Sequence, residues 1–291
     1  MLNIRKTIYL LVVGLVMASC AKDYLDTVPT SSTATPTIFE TTENANLAIN
    51  GLNKLMTRQY LGSQGFNGEG TIKMYYGEYP GSHFFVNLPG WANVINGNFR
   101  ENVNSIYLYY PWYYYYMLIG NANAIITYID DARGPESDRQ FIKAQALTYR
   151  AYSFFMLSQL YCKRWMDSNN GASEGLVLRT DVSTGDMPLS TLAEVYKQVY
   201  DDLDEAISLY SASGRKRKNN YDPDVNVAYA VYARAAITRQ DYPKAATMAV
   251  NAREGYPLMN NNAYRAGFYT PTSEWIWSSY GASDESLFFY S

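Results

Sequence analysis

Hydrophobic residues recur at helical spacing along most of the chain between residues 41 and 254. The pattern predicts helices near 41–58, 112–130, 137–163, 190–210, 225–239 and 243–254. Pro111 precedes the second of these helices, and we expect it in the first turn, where the missing N–H is no loss. The helix near 137–163 carries two apolar stripes: Phe141, Ala144, Thr148, Ala151, Phe155 and Ser158 in one, and Ile142, Ala146, Tyr149 and Met156 in the other. Because a helix that is apolar on two sides must pack between neighbours, we expect it at the centre of an all-α fold.

Residues 225–258 fit the pattern of a tetratricopeptide repeat, which is a 34-residue unit of two helices. The core positions of the pattern are taken by Tyr229, Tyr232, Ala233 and Ala236 in the first helix, and by Ala245, Ala249 and Ala252 in the second. Ala233 takes the small position at which the two helices cross. Because one such unit cannot bury its own apolar face, we expect the other helical pairs to be less regular repeats of the same plan.

Helical periodicity fails between Leu61 and Asn104. Glycines and asparagines are interleaved there with aromatic residues, among them Tyr75, Tyr76 and Trp91. An irregular segment of this length inside a domain is usually functional or disordered, and the aromatic content argues against disorder. We therefore expect long irregular aromatic-rich loops in this part of the chain, and a ligand-binding surface on them.

The first 37 residues have the organisation of a targeting segment and a tether. Arg5 and Lys6 precede an apolar run that is too short to span a bilayer but suits the core of a signal peptide. The run ends in small residues before Cys20, so residues 1–19 are predicted as a lipoprotein signal peptide and Cys20 as the lipidated residue. The alternative is an ordinary signal peptide with an incidental cysteine. Residues 20–37 are predicted as a lipid-proximal tether, and residues 38–291 as the helical domain.

Composition narrows the possible functions. A chain of 291 residues with 47% hydrophobic residues can bury a substantial core. The net charge of −3 gives no basic footprint, so nucleic acid is not a predicted partner. The basic run at 215–218 is interpreted as a solvated turn rather than as a site for an anionic partner. Two cysteines and one histidine leave little material for a metal centre, and no cofactor is predicted.

The sequence contains no motif of a catalytic site. In the adjacent pairs Asp130-Asp131 and Asp201-Asp202, the two residues do not face each other on a helix, so neither pair gives grounds for the two-carboxylate arrangement of a glycosidase. No glycine-rich phosphate loop and no nucleophile motif occurs. Arg150, in the middle of an apolar helix, is interpreted as a paired structural residue rather than as the holder of an anionic ligand. We therefore predict that the protein is not an enzyme.

Two motifs in the central helices carry a family resemblance. They are Trp112-x3-Tyr116-x2-Ile119-x3-Asn123 and the run from Ala144 to Phe155. Together they resemble the N-terminal half of SusD/RagB-like proteins, outer-membrane lipoproteins of Bacteroidota-type bacteria that have a tetratricopeptide-like helical scaffold. The family usually has a Glu-Ala pair where Gln145-Ala146 stands here. The residues that follow Cys20, from Ala21 to Pro29, also resemble the mature start of these proteins.

The resemblance implies non-catalytic capture of a glycan or another nutrient at the cell surface. It implies a SusC-like TonB-dependent transporter as partner, an oligosaccharide or other nutrient as ligand, and a lipid anchor that holds the protein on the outer membrane, facing the cell exterior. It also implies that residues 38–291 form the N-terminal helical domain of a family whose C-terminal portion is absent here. The alternative function is a lipoprotein whose tetratricopeptide-like grooves bind a protein, without glycan binding.

Candidate ligand-binding residues lie in the irregular segment. A sugar presents an apolar C–H face and a polar rim, so a binding site needs flat aromatic rings beside amides. Trp91, Asn93 and Asn96 offer that combination, with Tyr75 and Tyr76 upstream. In the family, ligand-contacting aromatic residues lie partly in loops between the first helices. Trp91 is favoured because the preceding Pro-Gly pair suits a turn that presents its ring. The alternative is that these rings only pack the loop against the helices.

Overall fold

The computed structural model describes residues 38–58, 66–81, 94, 96–98, 102–268 and 270–279, and its helices belong to the unit Phe39–Ser291. The helices are α1 (Thr42–Leu55), α2 (Gly68–Lys73), α3 (Ile106–Tyr128), α4 (Glu136–Tyr161), α5 (Leu192–Ser213), α6 (Val225–Thr238), α7 (Tyr242–Ala252) and α8 (Asn261–Arg265). A π-helical turn, Met74–Glu78, follows α2 directly. The described residues include no β-strand. The predicted all-α class is confirmed, and each predicted helix is present.

Helix α4 lies at the centre of the domain. Consecutive helices from α3 to α7 pack against one another, and α4 also contacts α1 and α6. Every residue of α4 from Ala144 to Phe155 is buried, as its two apolar stripes predicted. The hydroxyls of Thr148 and Ser153 donate to carbonyls one turn earlier in the same helix, at 2.8 Å each, so these polar groups are satisfied inside the core.

Polar residues fix where the helices begin. The Thr41 hydroxyl accepts a hydrogen bond from the Asn44 amide at 3.2 Å and caps α1. Thr191 and Glu194 form a reciprocal capping box at the start of α5. Asp224 caps α6. Because each cap satisfies backbone donors that a helix start leaves open, the short connections between helices are set by local sequence.

The expected position of Pro111 was wrong. Helix α3 begins at Ile106, so Pro111 lies inside it rather than in its first turn. A proline inside a helix removes one backbone hydrogen bond and opens the turn that precedes it. The hydroxyl of Tyr161 occupies that turn, accepting from the Trp112 amide at 3.0 Å and donating to the Leu108 carbonyl at 2.6 Å. This tertiary contact allows the helix to extend through the proline.

Helices α6 and α7 form the predicted two-helix unit. Of the predicted core residues, Tyr232 and Ala236 are buried in α6, and Ala245 and Ala252 are buried in α7. Tyr229 and Ala233 are only half-buried, and the expectation of a core position was wrong for Ala249, which is exposed. The main packing partner of α7 is α6, so the outer face of α7 stays in contact with solvent.

Candidate functional site

The candidate ligand residues are only partly within the described chain. Trp91 and Asn93 lie outside the described residues, as does the predicted lipidation site Cys20, and these predictions stay predictions. Asn96 is exposed in a turn before Gly97. Tyr75 is 5% exposed and Tyr76 is half-buried. Among the helices that the structure describes, none combines the length and hydrophobicity that crossing a bilayer requires.

Tyr75 belongs to an aromatic cluster. Its ring lies edge-on to Phe66 at 6.1 Å and to Tyr107 at 5.8 Å, and it contacts Tyr79 at 5.8 Å. Burial raises the pKa of the Tyr75 hydroxyl, and the same cause raises the pKa of Tyr76. A ring enclosed by three others offers no free face to a sugar. The geometry therefore favours the packing interpretation for Tyr75, while Asn96 remains accessible to a ligand.

A buried carboxylate fastens α2 to the two central helices. Glu69, which is 4% exposed, accepts a hydrogen bond from the Tyr115 hydroxyl of α3 at 2.9 Å. It also accepts one from the Tyr152 hydroxyl of α4, and Lys73 lies 2.9 Å from its other oxygen. A buried carboxylate without partners would be costly, and these three contacts remove that cost.

The start of α2 is also fixed by close packing of the backbone. Gly68 has a φ of +56°, and a Cβ at this position would lie 2.0 Å from the Met56 carbonyl oxygen. Only glycine fits this position without a shift of the backbone. The base of the irregular segment is therefore held in place both by this close approach and by the side chain of Glu69.

Arg150 is engaged in a buried ion pair. Its Nε donates to Asp202 Oδ2 at 2.9 Å and its Nη2 to Oδ1 at 2.6 Å, while Nη1 donates to Asn123 at 3.0 Å. Burial raises the pKa of the Asp202 carboxyl, and hydrogen bonds from Arg150 and Gln198 oppose that shift. With these partners in place, Arg150 is the paired structural residue that the sequence predicted, and not a site for an anionic ligand.

A cleft of ≈ 720 Å³ opens between α1, the start of α4 and the loop 214–224. Three asparagines of α1 line one side at positions i, i+4 and i+7, namely Asn46, Asn50 and Asn53. The loop contributes Lys216 and Lys218 to the rim. The sequence does not predict this cleft, because the basic run 215–218 on the loop indicates a solvated turn. The spacing of the asparagines on one helical face was the available signal.

Polar groups within the wall of the cleft are ordered by hydrogen bonds. Asn53 donates to Asp222 Oδ1 at 2.7 Å and accepts from the Tyr149 hydroxyl. Gln145, which is 2% exposed, donates from Nε2 to the Pro223 carbonyl at 3.0 Å. Its Oε1 is buried and has no hydrogen-bond partner among the described residues. The wall of the cleft thus contains a buried acceptor, Gln145 Oε1, that no described residue satisfies.

Both carboxylates of the Asp201-Asp202 pair have structural partners. Asp201 is exposed and pairs with Lys197 at 2.5 Å, whereas Asp202 is buried against Arg150. Within the described residues, no group of three or more His, Cys, Asp or Glu side chains is arranged to hold a metal ion.

The sequence and the fold are both similar to those of known proteins. Residues 23–237 match the family model SusD-like_3, described as "Starch-binding associating with outer membrane". A SusD-like carbohydrate binding protein from Bacteroides vulgatus superposes with a TM-score of 0.71 at 26% identity, over 82% of this chain and 50% of that one. A SusD superfamily protein from Bacteroides thetaiotaomicron superposes with a TM-score of 0.62 at 23% identity, over 77% and 49%. The chain therefore spans about half the length of these solved structures. No curated protein sequence matches it.

Proposed function

The chain belongs to the SusD-like family, and from that membership we propose that it captures a glycan at the cell surface without catalysing a reaction. The observation that carries the proposal is the family match over residues 23–237. The similarity to a SusD-like carbohydrate binding protein supports it. The buried charges of Arg150 and Asp202 pair with each other, which supports a structural role for both residues.

We place one ligand-binding surface on the segment that contains Trp91, Asn93 and Asn96. An exposed indole can stack on the apolar face of a sugar, and amides can bond its hydroxyls. The exposure of Asn96 supports this assignment. In this proposal Tyr75 packs among other aromatic rings and does not contact the ligand, while the half-buried Tyr76 stays a candidate contact.

Delivery to a SusC-like TonB-dependent transporter is the second part of the proposal. Anchoring through lipid on Cys20 would keep the captured glycan at the outer membrane, on the exterior side. The description of the matching family as associated with the outer membrane supports this location. The chain spans about half the length of its solved relatives, and delivery to the transporter is therefore stated as a proposal.

Affinity gel electrophoresis with several polysaccharides tests the capture function. We expect retardation by at least one polysaccharide without release of reducing sugar. Trp91→Ala should weaken retention about threefold to tenfold, as expected for the loss of about 0.5–1.5 kcal/mol of stacking, with little change in melting temperature. Tyr264→Ala, at a ring that is 61% exposed outside the proposed segment, is the matched control and should leave retention unchanged.

Two results would contradict the proposal. Absence of retardation on every glycan would argue against capture and favour the protein-binding alternative. Release of reducing sugar would show an enzyme. If the parent protein is retained on a glycan and Trp91→Ala does not change that retention, the capture function is supported but the binding surface lies elsewhere.

A further inference from the structure

We propose that the cleft between α1, α4 and the loop 214–224 binds a negatively charged saccharide unit, carrying either a carboxylate or a sulfate. The inference rests on the proposed function in taking the ligand to be a glycan, but it assigns a second site and a charge preference. Three features of the cleft support it: free amides on one side, free cations on the rim, and an unsatisfied acceptor in the wall.

The free amides belong to α1. Asn46 and Asn50 are exposed and lie one turn apart on the face that lines the cleft. Within the described part of the chain, neither side chain has a hydrogen-bond partner. One turn of helix is about 5.4 Å, which is comparable to the length of a sugar ring. The two amides can therefore bond hydroxyls on opposite edges of one ring or on neighbouring rings.

The free cations come from the basic run 215–218. Arg215 pairs with Asp138 at 2.9 Å and Arg217 pairs with Asp224 at 3.0 Å, so these two arginines hold the loop in place. Lys216 is exposed, and the structure gives it no ion-pair partner among the residues it describes.

Lys218, like Lys216, is exposed and has no ion-pair partner in the described ranges. Both lysines line the cleft. The alternation along the loop therefore separates two structural cations from two that remain available to a ligand.

The carboxylates of the cleft do not cancel this charge. Asp138 is engaged by Arg215, and Asp222 accepts hydrogen bonds from Asn53 at 2.7 Å and from the Asn219 side chain at 3.2 Å. Glu43, in the first turn of α1, is the remaining carboxylate of the lining. Neutral amides do not cancel the charge of Asp222, so the whole lining has to be counted. It holds four cations (Lys54, Arg215, Lys216 and Lys218) against three carboxylates (Glu43, Asp138 and Asp222), which leaves a net charge of +1.

Gln145 supplies the third feature. Its buried Oε1 faces no donor from the described protein, and its residue lines the cleft beside Phe141. A saccharide hydroxyl, or a water held by it, can donate to this oxygen, while the half-buried Phe141 ring offers an apolar surface. Neutral sugars satisfy these two contacts as well, so the lysines are the elements that select a charged unit. Two isolated lysines suit separated negative charges, in contrast to the basic stripe that a nucleic acid backbone requires.

The test uses affinity gels of the 291-residue chain with polygalacturonate, dextran sulfate and amylopectin, at low and high salt. We expect retention on an acidic polysaccharide that weakens with salt. The double variant Lys216→Gln/Lys218→Gln should lose about threefold to tenfold of that retention and keep any retention on amylopectin. Retention on polygalacturonate would identify a carboxylate, and retention on dextran sulfate a sulfate.

A matched double variant separates the cleft from net charge. Lys163→Gln/Arg253→Gln removes the same charge at two exposed residues outside the cleft and should leave retention unchanged. Asn50→Asp is a second probe, since it places a negative charge on the free α1 face and should weaken acidic retention alone. Circular dichroism melts verify that each variant is folded.

The outcomes are distinct. Equal losses in both double variants, or no loss with Lys216→Gln/Lys218→Gln and with Asn50→Asp, would overturn the cleft assignment. Retention on amylopectin without retention on either acidic polysaccharide would overturn it too, and would leave the proposed function intact. Absence of retention on all three polysaccharides would overturn the cleft assignment. Affinity gels with a wider panel of polysaccharides then test the proposed function separately.

Discussion

The Tyr161 hydroxyl accepts a hydrogen bond from the backbone amide of Trp112 at 3.0 Å. The rings of these two residues also meet edge to face, with centroids 5.2 Å apart. Because the same hydroxyl donates to the Leu108 carbonyl, it connects two backbone groups that a regular α-helix pairs with each other. The Tyr161 side chain of α4 therefore satisfies the two backbone groups of α3 that are left unpaired beside Pro111.

Removing this hydroxyl should destabilise the fold. Tyr161→Phe keeps the ring but leaves the Trp112 amide and the Leu108 carbonyl without their partner, which should lower the free energy of unfolding by about 1–3 kcal/mol. Urea denaturation measures the change. Tyr264→Phe, at an exposed ring, should change it by less than about 0.5 kcal/mol. Pro111→Ala in the Tyr161→Phe background should recover part of the loss, because the turn can then close. Equal stability of Tyr161→Phe and the parent would show that water replaces the hydroxyl.

Adjacent carboxylates on α5 should differ sharply in their effect on stability. Asp202→Asn leaves the buried Arg150 charge without its counter-ion and should lower the free energy of unfolding by about 3–5 kcal/mol. Asp201→Asn breaks only the exposed pair with Lys197 and should cost less than about 1 kcal/mol. Chemical denaturation of the two variants measures both changes. Similar losses in the two would mean that the Arg150 pair is not buried as described.

Alkaline pH should unfold the protein through its buried tyrosines. Burial raises the pKa of Tyr115, Tyr149, Tyr152 and Tyr210, and raises that of Tyr200 to about 12. The tyrosine pKa in an unfolded chain is about 10. Since the folded-state pKa values are higher, the stabilisation is fully present below pH ~10 and is lost as the pH rises through the folded-state values.

Two spectroscopic signals follow this alkaline transition. Absorbance at 295 nm should show the exposed tyrosines ionising first and the buried group later, together with the loss of helical circular dichroism. Ionisation of all tyrosines in one step near pH ~10, with native circular dichroism retained, would contradict the burial of these rings.

Lipid attachment at Cys20 predicts where the protein is found in the cell. Cys20→Ala should release the protein from the outer membrane or block its maturation, since stable anchoring requires more than one acyl chain. Membrane fractionation with a carbonate wash measures this. Cys162→Ala, which changes the other cysteine of the chain, should remain with the membrane. If the Cys20 variant still partitions wholly with outer membranes, the anchor lies elsewhere.

The sequence predicted those features that depend on local periodicity. The two stripes of α4 are sufficient to place it at the centre, because helical spacing determines which side chains share a face. Pro111 shows where such reasoning ends. Its tolerance inside α3 depends on Tyr161, whose hydroxyl bonds a backbone group 53 residues away in sequence. A rule for helix starts contains no information about a partner on another helix.

The site was less predictable for a related reason. An aromatic ring has the same chemistry in a core as on a sugar-binding surface, and only the convergence of Phe66 and Tyr107 shows that Tyr75 is enclosed. The cleft likewise depends on contacts across the whole chain, since the Asn53–Asp222 hydrogen bond joins residues 169 positions apart. Spacing along α1 indicates a row of amides, but it does not indicate what lies opposite.

Glu69 and Gly68 attach the chain to the helices on both sides of residues 82–101. Glu69 bonds α3 and α4 ahead of residues 82–101, and beyond them the Tyr110 hydroxyl donates to the Gly68 carbonyl at 2.9 Å. Both borders of that stretch are thus fastened to the same point of the scaffold. Substitutions within this stretch leave both of these attachments in place, although Val94, which is 0% exposed, has to keep a side chain that packs. Under the proposed function, such substitutions change ligand preference without a change in the helices at either end of the stretch.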